Sequence, residues 1–401
     1  MGWVNLRSNS NPIHMAASHL DRAKAAADKG NWSIAIDHLQ QLPINQVTDS
    51  ELVLDIALQV LIQGDFDHQW EIAKIIPKLG NIAIQPLLDL LNDTDIDLED
   101  RWVVARILGE FHQPQVITAL IELIQQQEDP ELTQIAASAL TKIGVPGISA
   151  VTDLLATPNR HTAITILAQV RHSITIEPLI QVIDDPDPQL RSLVVEALGS
   201  FHDPRIPPLL LTKLSDVAPT VRKAAVIALS LRSDIAAELD LSQHLRPLLF
   251  DLNLAVCQAT ALGLARLPDH LNIKVLTAVL LSPQTPPELQ SSIILALGWI
   301  GTVSAIDSLM AAFPQVAPSL APEIAIAIGK TEQERVYASQ VLANHLQILT
   351  PSDTIIKQEI ATALGNLNNP AIVPELVRLL NDPVDRVKLY AINAISKLQN
   401  N

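Results

Sequence analysis

A short run of small and aliphatic residues returns along this chain at nearly constant intervals. It reads "ILG" at 107–109, "ALT" at 139–141, "ILA" at 166–168, "ALG" at 197–199 and "ALS" at 228–230. It continues as "ALG" at 261–263, "ALG" at 296–298, "AIG" at 327–329, "ALG" at 363–365 and "AIS" at 394–396, with a weaker copy in "AKIIPKLG" at 73–80. Successive copies lie 27 to 36 residues apart. That step is too short for most α/β units and right for a pair of helices.

Each unit reads alike. An apolar helix such as "PPLLLTKL" is followed by a turn rich in Asp, Asn and Pro, such as "DDPDP". A helix with small residues at helical spacing, such as "VRKAAVIALS", completes it. Proline in the first turn of the second helix costs nothing, because that N–H has no intrahelical partner. The glycine after "AL" falls where positive φ or close approach is useful. One hairpin cannot bury both its faces, but a stack can. The expected fold is all-α: a right-handed α-solenoid of about ten to eleven hairpins. Composition agrees, since 48% of the 401 residues are hydrophobic and only 3% aromatic, as in tightly packed helices.

The pattern in "DPDPQLRSLVVEALG", "APTVRKAAVIALS" and "DPVDRVKLYAINAIS" resembles the HEAT repeat, in particular the short repeats of phycobilisome lyases. "DRWVVARILGEF" at 100–111 is similar to the aromatic-containing first repeats of phycobilin lyase subunits. The segment "AKAAADKGNWSIAIDHLQQLP" at 23–43 resembles a single tetratricopeptide hairpin. Residues 1–64 are therefore expected to form a helical cap, and 65–401 the solenoid.

The HEAT resemblance implies a ladder of turn acids paired with second-helix cations that ties neighbouring repeats, with Asp187 and Arg191 as one rung. The basic places are Arg101, Arg160, Arg191, Arg222, Lys357 and Lys388; the acids include Asp97, Asp187, Asp216, Asp353 and Asp382. Three consecutive repeats carry Ala255, Gln290 and Ala321 instead. Between about 225 and 330 the columns five and nine residues after the ladder place turn apolar, with Ile227, Leu231, Leu264, Leu295, Trp299 and Ile326. These residues are expected either to form a hydrophobic partner-binding strip on the concave face or to be buried by tighter curvature. Trp102 and Arg106 are a second candidate, because Trp and Arg often anchor interfaces.

Other motifs point to structure. Phe-His-x-Pro occurs at 111–114 and 201–204, and His112 and His202 lie too far apart to share a metal, so the Phe reads as a plug between repeats. Asp93, Asp95 and Asp97 have calcium-loop spacing, but Leu98 and Val104 replace the required Gly and Glu. Cys257, the one cysteine, can form neither an internal disulfide nor, alone, a zinc site, and reads as core. No nucleotide, hydrolase or metalloprotease motif is present, so no catalytic residue, metal or cofactor is assigned.

The net charge of -16 opposes nucleic acid and anionic lipid. The first twenty residues lack the pattern of a secretory leader, and no apolar run is long enough to span a bilayer. A cytoplasmic protein is expected. Two functions follow: a non-catalytic adaptor or assembly factor that holds a partner protein, or, as the lyase resemblance implies, an enzyme acting on a bilin of phycobiliproteins through Asp97, Asp100, Trp102 and Arg106.

Overall fold

The computed structural model describes residues 12–43, 49–93, 95–126 and 129–399, and every regular element among them is a helix. The helices pack as two compact units, residues 1–179 and 180–401. The reading of the first eleven residues as free of a leader lies outside the described residues.

Unit 1 holds α1 (Pro12–Ala27), α2 (Trp32–Gln40), α3 (Ser50–Gln63), α4 (Phe66–Ile72), α5 (Ile84–Asn92), α6 (Leu98–Leu108), α7 (Pro114–Gln126), α8 (Pro130–Ile143), α9 (Val145–Asp153) and α10 (Arg160–Gln169). A short α11 (Ile176–Gln181) crosses the boundary. Unit 2 continues with α12 (Pro188–Leu198), α13 (Ile206–Lys213), α14 (Pro219–Ser230), α15 (Leu241–Leu245), α16 (Leu254–Leu264), α17 (His270–Leu280) and α18 (Pro287–Ile300). It ends with α19 (Val303–Ala312), α20 (Ala321–Gly329), α21 (Arg335–Leu346), α22 (Thr354–Leu367), α23 (Val373–Arg378) and α24 (Asp385–Gln399). Even-numbered helices are the second members of their hairpins. In unit 2 they pack side by side, each on the next, from α12 to α24. The expected cap boundary at 64–65 falls in the turn between α3 and α4, inside unit 1.

Local chemistry explains the helix starts. Asp187 caps α12 by accepting from the Gln189 N–H at 2.8 Å, and Asn253 caps α16 through the Ala255 N–H at 3.0 Å. Prolines 130, 188, 219 and 287 stand in the first turns of α8, α12, α14 and α18.

The recurring Ala-Leu-Gly has a packing cause. Gly199 ends α12 with helical backbone, so positive φ is not its purpose. A Cβ there would stand 2.5 Å from Ala228 Cβ on α14. The Gly of one repeat meets the Ala of the next, and Gly298 with Ala327 repeats the contact. Between α14 and α16 the roles are exchanged: Ser230 takes the Gly place, and Gly263 faces it where Ala would be, with a Cβ at 3.0 Å. The "ALG" at 261–263 is therefore two residues out of step with the other copies.

Among the described residues, no helix is long and apolar enough to cross a membrane.

Candidate functional site

The ladder is present in unit 2, with a different acid from the one expected. Arg191 donates from Nε and Nη2 to both carboxylate oxygens of Asp216, at 2.9 and 2.8 Å, and from Nη1 to the Asp185 carbonyl at 2.8 Å. Arg222 repeats the pattern with Asp251, at 2.7 Å twice, and with the Asp216 carbonyl at 2.8 Å. Lys357 donates to Asp382 at 2.7 Å. Each arginine thus joins its own turn to the turn of the following repeat, and Lys357 joins α22 to the following turn.

Asp187 is not a rung. It sits two residues too late in the turn, and its carboxylate serves as the cap of α12. Lys388 is not a rung either. No following turn supplies an acid among the described residues, and it turns back to Asp385 at 2.7 Å. Arg101 donates from Nε to the Leu91 carbonyl at 2.9 Å, in the last turn of α5 and ten residues back, where Arg191 and Arg222 reach a carbonyl six residues back.

The paired acids are held in their charged form. For Asp251 the Arg222 hydrogen bonds dominate and lower the carboxyl below its ordinary value. For Asp216 and Asp382 burial pushes upward, but hydrogen bonds from Arg191 and Lys357, with others, outweigh it.

The exchange of Ser230 and Gly263 corrects the register of the ladder gap. Cys257, not Ala255, stands six residues after the turn acid, as Arg191 and Arg222 do. Its Sγ lies 3.1 Å from the Asp251 carbonyl, where a ladder cation would donate. Burial pushes its thiol up, which makes it a poor nucleophile. Gln284 replaces the next turn acid, and a hollow of about 750 Å³ opens there, with Cys257 and Gln284 in its walls.

The same slip corrects the apolar strip. Leu264 is fully buried, because counting from Ala255 placed it two residues early, which is more than half a turn around α16. The true members of the columns on α16 are Leu262, half-buried, and Arg266, exposed. The other five sequence candidates reach the surface. Leu231 is 59% exposed and Trp299 48%; Ile227 and Ile326 are exposed, and Leu295 is half-buried. The Arg266 guanidinium lies over the Trp299 ring, 5.6 Å from its centre. Leu295, Ile326 and Lys330 line a hollow of about 270 Å³ between α18 and α20.

In unit 1, Trp102 and Arg106 share a surface with two residues that sequence reading missed, Phe66 and Trp70 of α4. Arg106 lies over Trp70, 4.4 Å from the ring centre, and Phe66 stacks on Trp70 with centroids 6.5 Å apart. Trp70 precedes Trp102 by one repeat step, a signal the sequence contained. Of the four residues grouped by the lyase resemblance, Trp102 and Arg106 line a common hollow whose carboxylate is Glu99. Asp100 accepts from Gln69 at 2.6 Å and is pushed up by burial, and Asp97 begins α6.

Phe111 is buried and Phe201 half-buried, while His112 and His202 are exposed. Among the described residues, no group of His, Cys, Asp or Glu is arranged to hold a metal.

A family model described as HEAT repeats matches residues 54–141, 84–170, 156–230, 176–252 and 342–401, which together make up more than half of the chain. The chain belongs to the HEAT-repeat family. The HEAT matches stop at 252 and resume at 342, on either side of the repeats that lack ladder cations. Importin beta crystallised in ammonium sulfate is similar in fold, with 12% identity and a TM-score of 0.53 over 96% of this chain. This HEAT chain spans 61% of that protein. Importin beta in polyethylene glycol gives 13% identity and a TM-score of 0.50, covering 95% of this chain and 65% of that one. At such identities the likeness concerns the solenoid fold alone. Human deoxyhypusine hydroxylase is 21% identical over 64% of this chain and 97% of that one, but its TM-score of 0.30 is too low to carry an argument. No curated protein matches the sequence.

Proposed function

We propose that this HEAT-repeat protein is a non-catalytic scaffold that holds a partner protein on the second-helix face of unit 2. The observation that carries the reading is the exposure of Leu231, at the end of the last helix before the ladder gap, and of Trp299, on a helix inside it. A surface Leu alone means little, but Ile227, Leu262, Leu295 and Ile326 form an apolar row across successive helices, beside a row in which Arg266 and Lys330 alternate with Leu231 and Trp299, which has the mixed make-up of an interface. Trp299 under a guanidinium is the natural anchor. Ile227, Leu295 and Ile326 would complete the contact.

The test is affinity purification of the wild-type chain beside a Leu231→Ser/Trp299→Ala variant, with quantification of every co-eluting protein. The reading expects at least one stoichiometric partner to be lost from a variant that melts like wild type. Identical partner sets would refute it.

A further inference from the structure

The surface between α4, α6 and α8 of unit 1 carries a cation without an acid. Arg106 is half-buried and has no carboxylate partner among the described residues. Burial alone pulls its guanidinium below its ordinary value. It is stacked on Trp70, which keeps the charge in place but does not neutralise it. The neighbouring acids are taken up by lysines, Glu71 by Lys74 at 2.5 Å and Glu110 by Lys142, which leaves Arg106 as the unmatched charge.

Arg106 also divides two hollows. One, of about 360 Å³, has Trp70, Lys74, Lys142 and Glu110 on its walls, and so carries more positive than negative groups. The other, of about 250 Å³, is apolar along Phe66, Trp102 and Ile135, with Glu99 on its wall. Beside it the Trp102 Nε1–H is buried without an acceptor, a cost that native cores generally avoid. Phe66 is largely exposed and Trp70 about half exposed, so the unit leaves much of both rings open.

We infer that this surface is a receptor for a linear acidic peptide, which sets one carboxylate against Arg106, beside the Lys74–Glu71 pair, and one bulky apolar side chain against Phe66 and Trp102. The two hollows share Arg106 as a wall, so the acid and the apolar residue must be adjacent or nearly so in an extended chain. The smaller hollow has room for one side chain. Glu99 disfavours a second acid there, so the acid and the apolar residue do not exchange hollows. A planar guanidinium held on an indole is set for bidentate recognition of a carboxylate. The inference rests on the protein-binding reading above but uses a different surface.

The probes are fluorescein-labelled hexapeptides in a Gly-Ser background, with Asp-Leu, Asn-Leu or Asp-Ser at the centre, titrated against the full chain by fluorescence anisotropy. The Asp-Leu peptide is expected to bind, and each single replacement to weaken it by about tenfold or more. Arg106→Met is expected to abolish binding, and Phe66→Ser to weaken it severalfold. Trp299→Ala should leave it unchanged. Lys74→Glu and Phe66→Ser alter exposed side chains, so they keep the test valid if Arg106→Met fails to fold. Equal binding of all three peptides, or of Asp-Leu by Arg106→Met and Lys74→Glu, overturns the inference. If that happens while Leu231→Ser/Trp299→Ala still loses a partner, the peptide site falls and the scaffold reading stands.

Discussion

Arg222 grips both carboxylate oxygens of Asp251 at 2.7 Å and reaches back to the carbonyl of Asp216, tying two turns of the stack together. Both side chains are nearly buried. Asp251→Ala would leave the guanidinium with its desolvation uncompensated. Loss of one partner from a fully buried pair costs about 3–5 kcal/mol, and from an exposed pair about 0–1 kcal/mol. For this rung, at the margin of the stack, a loss of about 2 kcal/mol is expected in urea unfolding. Asp385→Ala, which breaks only the exposed contact with Lys388, should be indistinguishable from wild type.

The ladder also sets an acid limit on stability. The carboxyls of Asp216, Asp251 and Asp382 lie below the ordinary 3.8 in the folded chain. A group with a depressed folded pKa stabilises above its unfolded value, and that contribution is lost as pH falls through the folded pKa. Melting temperature should therefore drop below about pH 4, and Asp251→Asn should drop less steeply from a lower plateau. His345 acts higher in the scale. Burial against Phe313, with ring centroids 4.2 Å apart, pulls its imidazole below 6.5, so the unfolded chain takes up the proton first. Stability should begin to fall as pH drops below about 6.5, and His345→Gln should remove that part of the profile.

Contact between second helices depends on the Gly–Ala pairing. Gly199→Val would drive a side chain into Ala228, where even a Cβ stands at 2.5 Å. Overpacking of this kind costs about 1–3 kcal/mol, read as a lower urea midpoint. Ala228→Gly should restore part of the loss in the double variant, because it removes the atom that is struck. Purely additive losses would show that the helices do not meet there.

The register of α16 has a direct test. Leu264→Ala should cost about 2–5 kcal/mol as a core truncation. Leu231→Ala, at an exposed place, should stay within about 0.5 kcal/mol of wild type. Similar losses at the two sites would mean that the slip between α14 and α16 is misplaced.

The hairpins, their turns and the ladder gap were legible in the sequence because Pro, Asp and Ala-Leu-Gly mark physical events: a helix start, a capped turn and a close approach. The register of "LAVCQATALGLARL" was not. That helix is apolar on nearly every side, so its spacing does not distinguish the core side from the surface, and a false "ALG" drew the count two residues out. The contact of Ser230 with Gly263 resolves it. Five of the six apolar residues singled out reach the surface, and the sixth, Leu264, was misplaced by that slip. The choice of Asp187 over Asp216 as partner of Arg191 failed for another reason. Both acids lie in equivalent turns, and sequence alone does not say whether a side chain reaches its own turn or the next.

The central claim is that the second-helix face of unit 2 carries the partner. A photo-crosslinking amino acid placed singly at Leu231, Trp299 or Ile326, and as a control at exposed Val336 on α21, tests it in cells. The account predicts a discrete adduct of the same mass increment from the three strip positions and none from Val336. Adducts from Val336 alone, or none from the strip with the protein folded and abundant, would contradict it.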